Sequence, residues 1–196
     1  MFRHLAVIRT VAAVAALAAT AVAQAQPAPD PATVEIRTTR LAEGVHILEG
    51  QGGTITALTG PEGVLLVDSQ FAALTDKLVA AVRTLSDRPI RFLVNTHLHG
   101  DHTGGNENFA RQGALIFARD QLRSRLMRPG PTPTGAPVTP APAGALPVVT
   151  YDGPTTIHLN GEEVRLIPIR AAHTDGDTLI HFVKADVLAV GDYYRS

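Results

Sequence analysis

The feature that most constrains this chain is a run of metal-binding side chains between residues 97 and 102. His97, His99 and His102 bring three imidazoles, and Asp101 brings one carboxylate, into six consecutive positions. Clustered polar groups of this kind are costly in a fold unless a cation shares their electron pairs. Imidazole nitrogen and carboxylate oxygen without thiolate suit zinc first, with iron or manganese as alternatives. The run therefore predicts a metal centre.

The residues around this run predict how its side chains are arranged. Residues 90–95 form an apolar segment typical of a buried strand. Side chains two positions apart on an extended chain point to the same side, so His97 and His99 are expected to converge on one ion. Gly100 allows a sharp turn, after which the next two residues can address a second, neighbouring ion.

A second polar cluster follows a predicted hairpin later in the chain. Residues 155–159 and 163–169 read as two strands joined by Asn160-Gly161, which is among the strongest two-residue turn signals. His173 stands where the second strand gives way to a turn. A third imidazole could therefore complete the site formed by the first two histidines of the run.

The segment His97-Leu98-His99-Gly100-Asp101-His102 resembles the HxHxDH motif of the metallo-β-lactamase superfamily. The resemblance implies an α/β fold, a four-layer αβ/βα sandwich with a mono- or dinuclear metal site at one edge. It runs from about Leu41 to Tyr194 and covers the earlier part of the family's domain. The resemblance therefore predicts a sandwich that is incomplete at its C-terminus.

The resemblance also implies a role for each candidate ligand. The residues that match the first metal site are His97, His99 and His173, and those that match the second are Asp101, His102 and Asp192. Asp192 matches the carboxylate that bridges the two ions. A last family histidine has no counterpart here, so the second site is expected to lack one ligand.

Three further aspartates bear on this resemblance. The family's aspartate in the place of Asp68 supports the metal-binding loop from behind, while the alternative is a cap for the following segment. The family often has histidine-threonine-proline-glycine-histidine at the second cluster, where this chain has Asp175 and Asp177. That departure argues against a glyoxalase II-like enzyme.

The remaining pattern predicts alternating strands and helices, which is typical of an α/β fold. An amphipathic helix is predicted over residues 74–86, a short helix from residue 106 and a helix over residues 119–127. Residues 93–94 and 115–116 are expected in one sheet, as parallel neighbours. The other predicted strands are residues 34–38, 45–49, 54–59, 64–68, 148–151, 178–183 and 187–190.

Charge and cysteine content exclude several classes of site. The chain has 17 basic and 18 acidic residues, so no electrostatic basis for a nucleic-acid partner arises. Four arginines between residues 119 and 128 are expected on the exposed face of a helix. There is no cysteine, so no disulfide can form and no thiolate can bind metal. Metallo-β-lactamases with a cysteine in the second site are therefore not the best match.

The ends of the predicted domain are set by composition. Residues 1–25 have a basic start, a small-apolar run and small-x-small cleavage patterns, which predict a secretory signal peptide, with an uncleaved anchor as the alternative. A proline-rich spacer, 26–33, precedes a partial metallo-β-lactamase-like domain, 34–196. We therefore expect an exported, periplasmic or secreted protein with no stable membrane span after cleavage. A proline-rich irregular loop, 129–147, is either a substrate-facing lip or a tolerated insertion.

These features predict a zinc-dependent hydrolase that acts on a small molecule. A metal-bound hydroxide would attack an amide or ester carbonyl, as in a β-lactamase, esterase or thioesterase, with Asp101 as the catalytic residue that orients it and moves its proton. One alternative is a non-catalytic metal-binding remnant. Another is a di-iron redox protein, although those usually have an acidic residue in place of His99.

Overall fold

Two facing β-sheets carry the fold in the computed structural model, which describes residues 30–131, 135 and 137–194. The strands along the chain are β1 Arg37–Ala42, β2 Val45–Glu49, β3 Ile55–Leu58, β4 Val64–Val67, β5 Ile90–Val94, β6 Leu115–Arg119, β7 Val149–Tyr151, β8 Thr155–Leu159, β9 Glu162–Pro168, β10 Thr178–Phe182 and β11 Val187–Ala189. The larger sheet has the order β1-β2-β3-β4-β5-β6-β7, and the smaller has the order β11-β10-β9-β8.

The helices are short and connect the strands of the larger sheet. They are α1 Thr75–Leu85, α2 Gly100–Thr103, α3 Asn106–Arg111 and α4 Asp120–Met127. The 3₁₀ turns are Pro31–Thr33, Ala72–Leu74, Ala143–Ala145 and Gly191–Tyr193. None of the helices in the described part of the chain has both the length and the apolar content needed to cross a bilayer.

The middle of the larger sheet is buried on both faces, which explains why β4 is apolar throughout. Leu65 and Val67 point to the smaller sheet and pack in the core between the sheets. Val64 and Leu66 point the opposite way and share a second core with Leu78 of α1. Alternation along a strand sends neighbouring side chains to opposite faces, so a strand between two cores has no polar face.

The smaller sheet has one buried and one exposed face in the described residues. Ile157 and Val164 are buried against the larger sheet, whereas His158 and Arg165 are exposed on the other side. The described part of the chain thus contains one helical layer and two sheets of the expected four-layer sandwich. This agrees with the prediction of an α/β fold that is incomplete.

The parallel part of the larger sheet positions the predicted metal run. β4, β5, β6 and β7 are parallel neighbours, as predicted for residues 93–94 and 115–116. The carboxyl ends of parallel strands meet at one edge, where α/β folds commonly build their sites. The predicted hairpin also forms, and Asn160 and Gly161 have positive φ angles of 57° and 71° in its turn.

The prediction for the start of the first strand was wrong. The first strand begins at Arg37 rather than at residue 34, because residues 31–33 form a turn held by Lys77 of α1. The Lys77 Nζ donates hydrogen bonds to the carbonyls of Pro31, Ala32 and Val34 at 2.8, 2.7 and 2.7 Å. The signal-peptide prediction, residues 1–25, and the first part of the predicted spacer lie outside the described residues.

The prediction that Arg119 lies on the exposed face of a helix was also wrong. Its side chain is only 11% exposed, and the residue ends β6. It donates hydrogen bonds to the Asp152 carboxylate and the Ile169 carbonyl, each at 2.8 Å. The guanidinium therefore ties the end of β6 to the segment that follows β9.

The proline-rich loop is irregular over much of its described length but is anchored near its end. Ala145 is buried, and its carbonyl accepts a hydrogen bond from Asn106 of α3 at 3.1 Å. Arg123 of α4 donates to the Pro147 carbonyl. This end of the loop therefore contacts the element that directly follows the predicted metal run.

Candidate metal centre

The histidine run lies beyond the end of β5 rather than on the strand itself. β5 ends at Val94, and α2 begins at Gly100. The His99 carbonyl accepts hydrogen bonds from the amides of His102 and Thr103 at 3.0 and 2.9 Å, which closes the turn after Gly100. His97 and His99 therefore lie in the loop between β5 and α2, where residues 96–98 bend, and not on one face of a strand.

Three imidazoles from two distant segments meet in a first group. The ligand atoms of His97, His99 and His173 all lie within 4.8 Å of one another. His173 Nε2 lies 3.0 Å from His99 Nδ1, and the His97 ring centroid lies 4.9 and 4.8 Å from the centroids of the other two rings. Three imidazole nitrogens this close together could hold a metal ion.

A second group shares one residue with the first. The ligand atoms of His97, His102 and Asp192 also lie within 4.8 Å of one another. Asp192 Oδ1 lies 3.2 Å from His102 Nε2, and its Oδ2 lies 3.5 Å from His173 Nε2. The Asp192 carboxylate therefore lies between the two groups, within 3.5 Å of a histidine of each.

Asp101 lies at the margin of both groups. Its Oδ2 is 3.6 Å from His102 Nε2, and its side chain is 32% exposed. Among the described residues it belongs to neither set of converging donors. The structure thus brings five of the six predicted ligands together and leaves Asp101 at the edge, while the ligand role of all six stays a prediction.

Two buried ring nitrogens at the centre have no hydrogen-bond partner. His97 Nε2 and His102 Nε2 are both buried and make no hydrogen bond in the described structure, although His102 Nε2 lies 3.2 Å from the Asp192 carboxylate. A buried polar atom without a partner is costly, so such atoms usually have a purpose. Both nitrogens point into the groups described above, as expected of metal ligands.

Asp68 orients both of these rings, and the structure favours its predicted supporting role over a capping role. Its Oδ2 lies 2.7 Å from His102 Nδ1 and accepts a hydrogen bond from the Thr96 hydroxyl at 2.7 Å. Because the Thr96 hydrogen is given to Asp68, the hydroxyl oxygen is left to accept from His97 Nδ1, at 3.0 Å. Both imidazoles then carry their proton on Nδ1 and present the Nε2 lone pair to an ion.

The electrostatics of the site differ between these histidines. Burial, followed by the neighbouring His102, lowers the pKa of His97 to about 4, so its ring is neutral at physiological pH. Burial and the nearby His173 also lower the pKa of His99. Burial alone would lower the pKa of His102, but the hydrogen bond to Asp68 and the charges of three carboxylates outweigh it and raise the pKa.

A buried amide pair holds the ligand loop from below. Asn106 Nδ2 donates to Asn95 Oδ1 at 2.9 Å, and Asn95 Nδ2 donates to Asn106 Oδ1 at 3.1 Å. The His102 carbonyl accepts from the Ser69 amide at 2.9 Å and from the Ser69 hydroxyl at 3.0 Å. The Ser69 hydroxyl also contacts Asn106 Oδ1 at 2.9 Å. This network fixes the peptide that carries His102.

Two glycines allow the backbone to approach the imidazoles closely. A Cβ atom at Gly53 would overlap the His102 ring. A Cβ atom at Gly191, where φ is 55°, would lie 2.7 Å from the Thr96 hydroxyl oxygen. No pattern in the sequence indicated a role for Gly53, Thr96, Ser69 or the two asparagines, except that Asn106 directly follows the Gly104-Gly105 pair, which is the only local signal for the amide network.

The site is open to small molecules. His99 is exposed and Asp101 is partly exposed at the outer edge of the sheets. A cavity of about 370 Å³ extends from His102 and Asp192 between the sheets, with Val67 and Val187 among its walls. The cavity thus borders the second ligand group, while His99 exposes the first.

Comparison with known proteins places this geometry in a family. The family model described as Metallo-beta-lactamase superfamily matches residues 48–193. The chain is 30% identical over 80 residues to a linear primary-alkylsulfatase from Pseudomonas sp. (strain ATCC 19151). That stretch covers 37% of this chain and 15% of the alkylsulfatase.

Solved structures with the same fold include a metallo-beta-lactamase with a HARLDQ motif from Cronobacter sakazakii, at 21% identity and a TM-score of 0.65; the match covers 77% of this chain and 60% of that one. FEZ-1 from Legionella gormanii matches at 18% identity and a TM-score of 0.64, with 76% and 58% covered. MEM-A1, a subclass B3 metallo-beta-lactamase from a soil metagenome, matches at 20% identity and a TM-score of 0.63, with 76% and 58% covered. The chain thus spans less than two thirds of the length of each.

Proposed function

We propose a hydrolytic function from one premise, which is that the chain belongs to the metallo-beta-lactamase superfamily. The proposed reaction is zinc-dependent hydrolysis of an amide or ester bond in a small molecule. The observation that carries it is the convergence of His97, His99 and His173 from two distant segments, with the buried Nε2 of His97 left without a protein partner.

The residues of the site fit a zinc ion. The first group offers three imidazole nitrogens, and the second offers two imidazole nitrogens and a carboxylate oxygen. Hydrogen bonds from Nδ1 to a hydroxyl or a carboxylate are the usual support of metal-bound histidines, and His97 and His102 both have one. When bound, zinc lowers the pKa of water toward neutrality and polarises the bond that is cleaved.

The chain's own residues would then guide the substrate and the proton. The partly exposed carboxylate of Asp101 lies near the ligand groups and can accept a proton from the attacking water and pass it to the leaving group. His99 and His173 line the exposed side, from which a substrate can approach. No protein nucleophile is required by this arrangement.

A sulfate ester of a primary alcohol is a second candidate substrate. The similarity to a linear primary-alkylsulfatase over 80 residues favours it. The cavity beside His102 has mixed walls, and its apolar part, which includes Leu41, Val67 and Val187, would suit an alkyl chain. Substrate choice within one fold is set by the surrounding loops, so direct assays must separate these classes.

The experiment is an assay of the zinc-loaded protein with a chromogenic cephalosporin, p-nitrophenyl acetate and a primary alkyl sulfate. We expect turnover of at least one substrate that is lost in His99→Ala and falls by about 100-fold or more in Asp101→Asn. His158→Ala is the matched control, because this exposed histidine lies on the outer face of the smaller sheet. Metal binding without turnover of any of them would instead support a non-catalytic metal-binding protein.

We also propose that the protein is exported through the signal peptide predicted over residues 1–25. Expression in a Gram-negative host and N-terminal sequencing of the periplasmic fraction test this. We expect a mature chain that begins near Gln24 or Gln26. Retention of the intact chain in the cytoplasm would contradict export.

A further inference from the structure

The carboxylate of Asp177 takes no part in the proposed hydrolysis, yet it is buried beside a candidate ligand. The residue is only 4% exposed. Its Oδ2 accepts hydrogen bonds from the amides of His173 and Thr174, each at 2.8 Å. Its Oδ1 accepts from the Thr174 hydroxyl at 2.5 Å and from the Thr174 amide at 3.1 Å.

The same stretch closes the loop that carries His173 and attaches it to the histidine run. The Ile169 amide donates to the Asp177 carbonyl at 3.1 Å, which joins the two ends of the loop. The next residue, Thr178, donates its amide hydrogen to the Thr96 carbonyl at 2.9 Å. Since Thr96 directly precedes His97, this bond holds the loop of His173 against the first cluster.

A carboxylate is suited to this position, and an imidazole is not. The site requires acceptors for two amide hydrogens and one hydroxyl hydrogen within a single turn. A carboxylate has several lone pairs for them, whereas a neutral imidazole has one acceptor nitrogen. Bonds from amides to a buried carboxylate are also the stronger, charge-assisted kind.

Asp177 is not itself placed as a metal ligand. Both of its oxygens face donors of its own loop, and neither set of converging donors in the described residues includes it. We propose that Asp177 is a positioning residue for metal binding: it fixes the backbone at residues 173–174 so that the His173 ring meets His97 and His99. This inference rests on the proposed function only in requiring that the three imidazoles bind a metal.

The test is metal affinity, measured by competition with a chelator, together with the visible absorption spectrum of the cobalt-loaded protein. Asp177→Ala should weaken binding by about 10- to 100-fold, which is typical when a group that supports a ligand is removed, and should change the cobalt spectrum. Asp177→Asn keeps one acceptor oxygen, so its metal affinity should lie between those of Asp177→Ala and the natural protein.

Asp175→Asn is the matched control on the same loop, since this exposed carboxylate pairs with Arg125 rather than with the His173 backbone. Its affinity should stay within about twofold.

A purely structural role would give a different result. It would lower the unfolding temperature of the metal-free Asp177→Ala protein but leave the affinity and the cobalt spectrum of the folded fraction unchanged, and this outcome overturns the proposal. If Asp177→Ala does not fold, Thr174→Val decides instead, because it removes one partner of the carboxylate and should still weaken binding several-fold; unchanged affinity there overturns the proposal too. Affinity is measured without substrate. A natural protein that binds metal but hydrolyses nothing would therefore refute the proposed function alone.

Discussion

At the scale of single residues, Asp68 fixes the nitrogen that two imidazoles offer to a metal. It does so directly for His102 and through the Thr96 hydroxyl for His97. The Asp68 carboxylate therefore orients His102 of the second group and, through Thr96, His97, which belongs to both groups. The sequence suggested that Asp68 lies behind the loop, but the relay through Thr96 had no pattern to reveal it, because it depends on contacts across 28 residues of chain.

Replacement of Asp68 by asparagine should weaken metal binding by about 10- to 100-fold. An amide can present hydrogens toward Thr96 and His102, and this removes the preference for a proton on Nδ1. Isothermal titration with zinc at fixed pH measures the effect. Asp152→Asn is the control, since that exposed carboxylate binds Arg119 away from the imidazoles. Equal zinc affinities in the two variants would contradict the orienting role of Asp68.

At the scale of elements, the ligand loop is held by the groups beneath it. Periodicity and turn chemistry predicted β5, α1 and the β8–β9 hairpin, because each has a local signal in the chain. The loop that follows β5 has no such period, so its conformation was predicted wrongly as a continued strand. Its shape depends on the buried pair of Asn95 and Asn106, which only the tertiary structure brings together.

Asn106→Ala should destabilise this loop more than the rest of the molecule. The change leaves Asn95 Oδ1 and the Ala145 carbonyl without their donor, at a cost of about 1–3 kcal/mol for each buried group. Chemical denaturation of the metal-free protein measures the resulting decrease in the free energy of unfolding. Asn108→Ala is the control on the same helix, where a half-exposed side chain should cost less than about 1 kcal/mol. A smaller loss in Asn106→Ala than in this control would exclude the network as a support.

At the scale of the whole molecule, the metal would join the two sheets. His97, His99 and His102 follow β5 of the larger sheet, whereas His173 and Asp192 come from the smaller sheet or directly after it. The motif in the sequence predicted the family fold and the ligand types. It could not show how the sheets are held together, because that depends on contacts between segments far apart in the chain.

Removal of metal should therefore lower the stability of the entire fold. A ligand that binds only the native state raises the free energy of unfolding by about 2.7 kcal/mol when its free concentration is 100 times its Kd. We expect the thermal midpoint of unfolding, measured by calorimetry, to fall after chelation and to recover when zinc is added. His173→Ala should lose most of this gain, while His158→Ala should keep it. Zinc that leaves the midpoint of the natural protein unchanged would contradict a link between the sheets.

The order of strands has one more consequence. Strands β1 to β7 complete the larger sheet before the chain reaches Gly153, and β8 to β11 build the smaller sheet after it. A break in the backbone at that glycine would thus yield two pieces, each with a whole sheet and an incomplete set of donors. The shared apolar core would draw the two pieces together, and zinc should tighten their association further by linking His97 and His99 of one piece to His173 of the other.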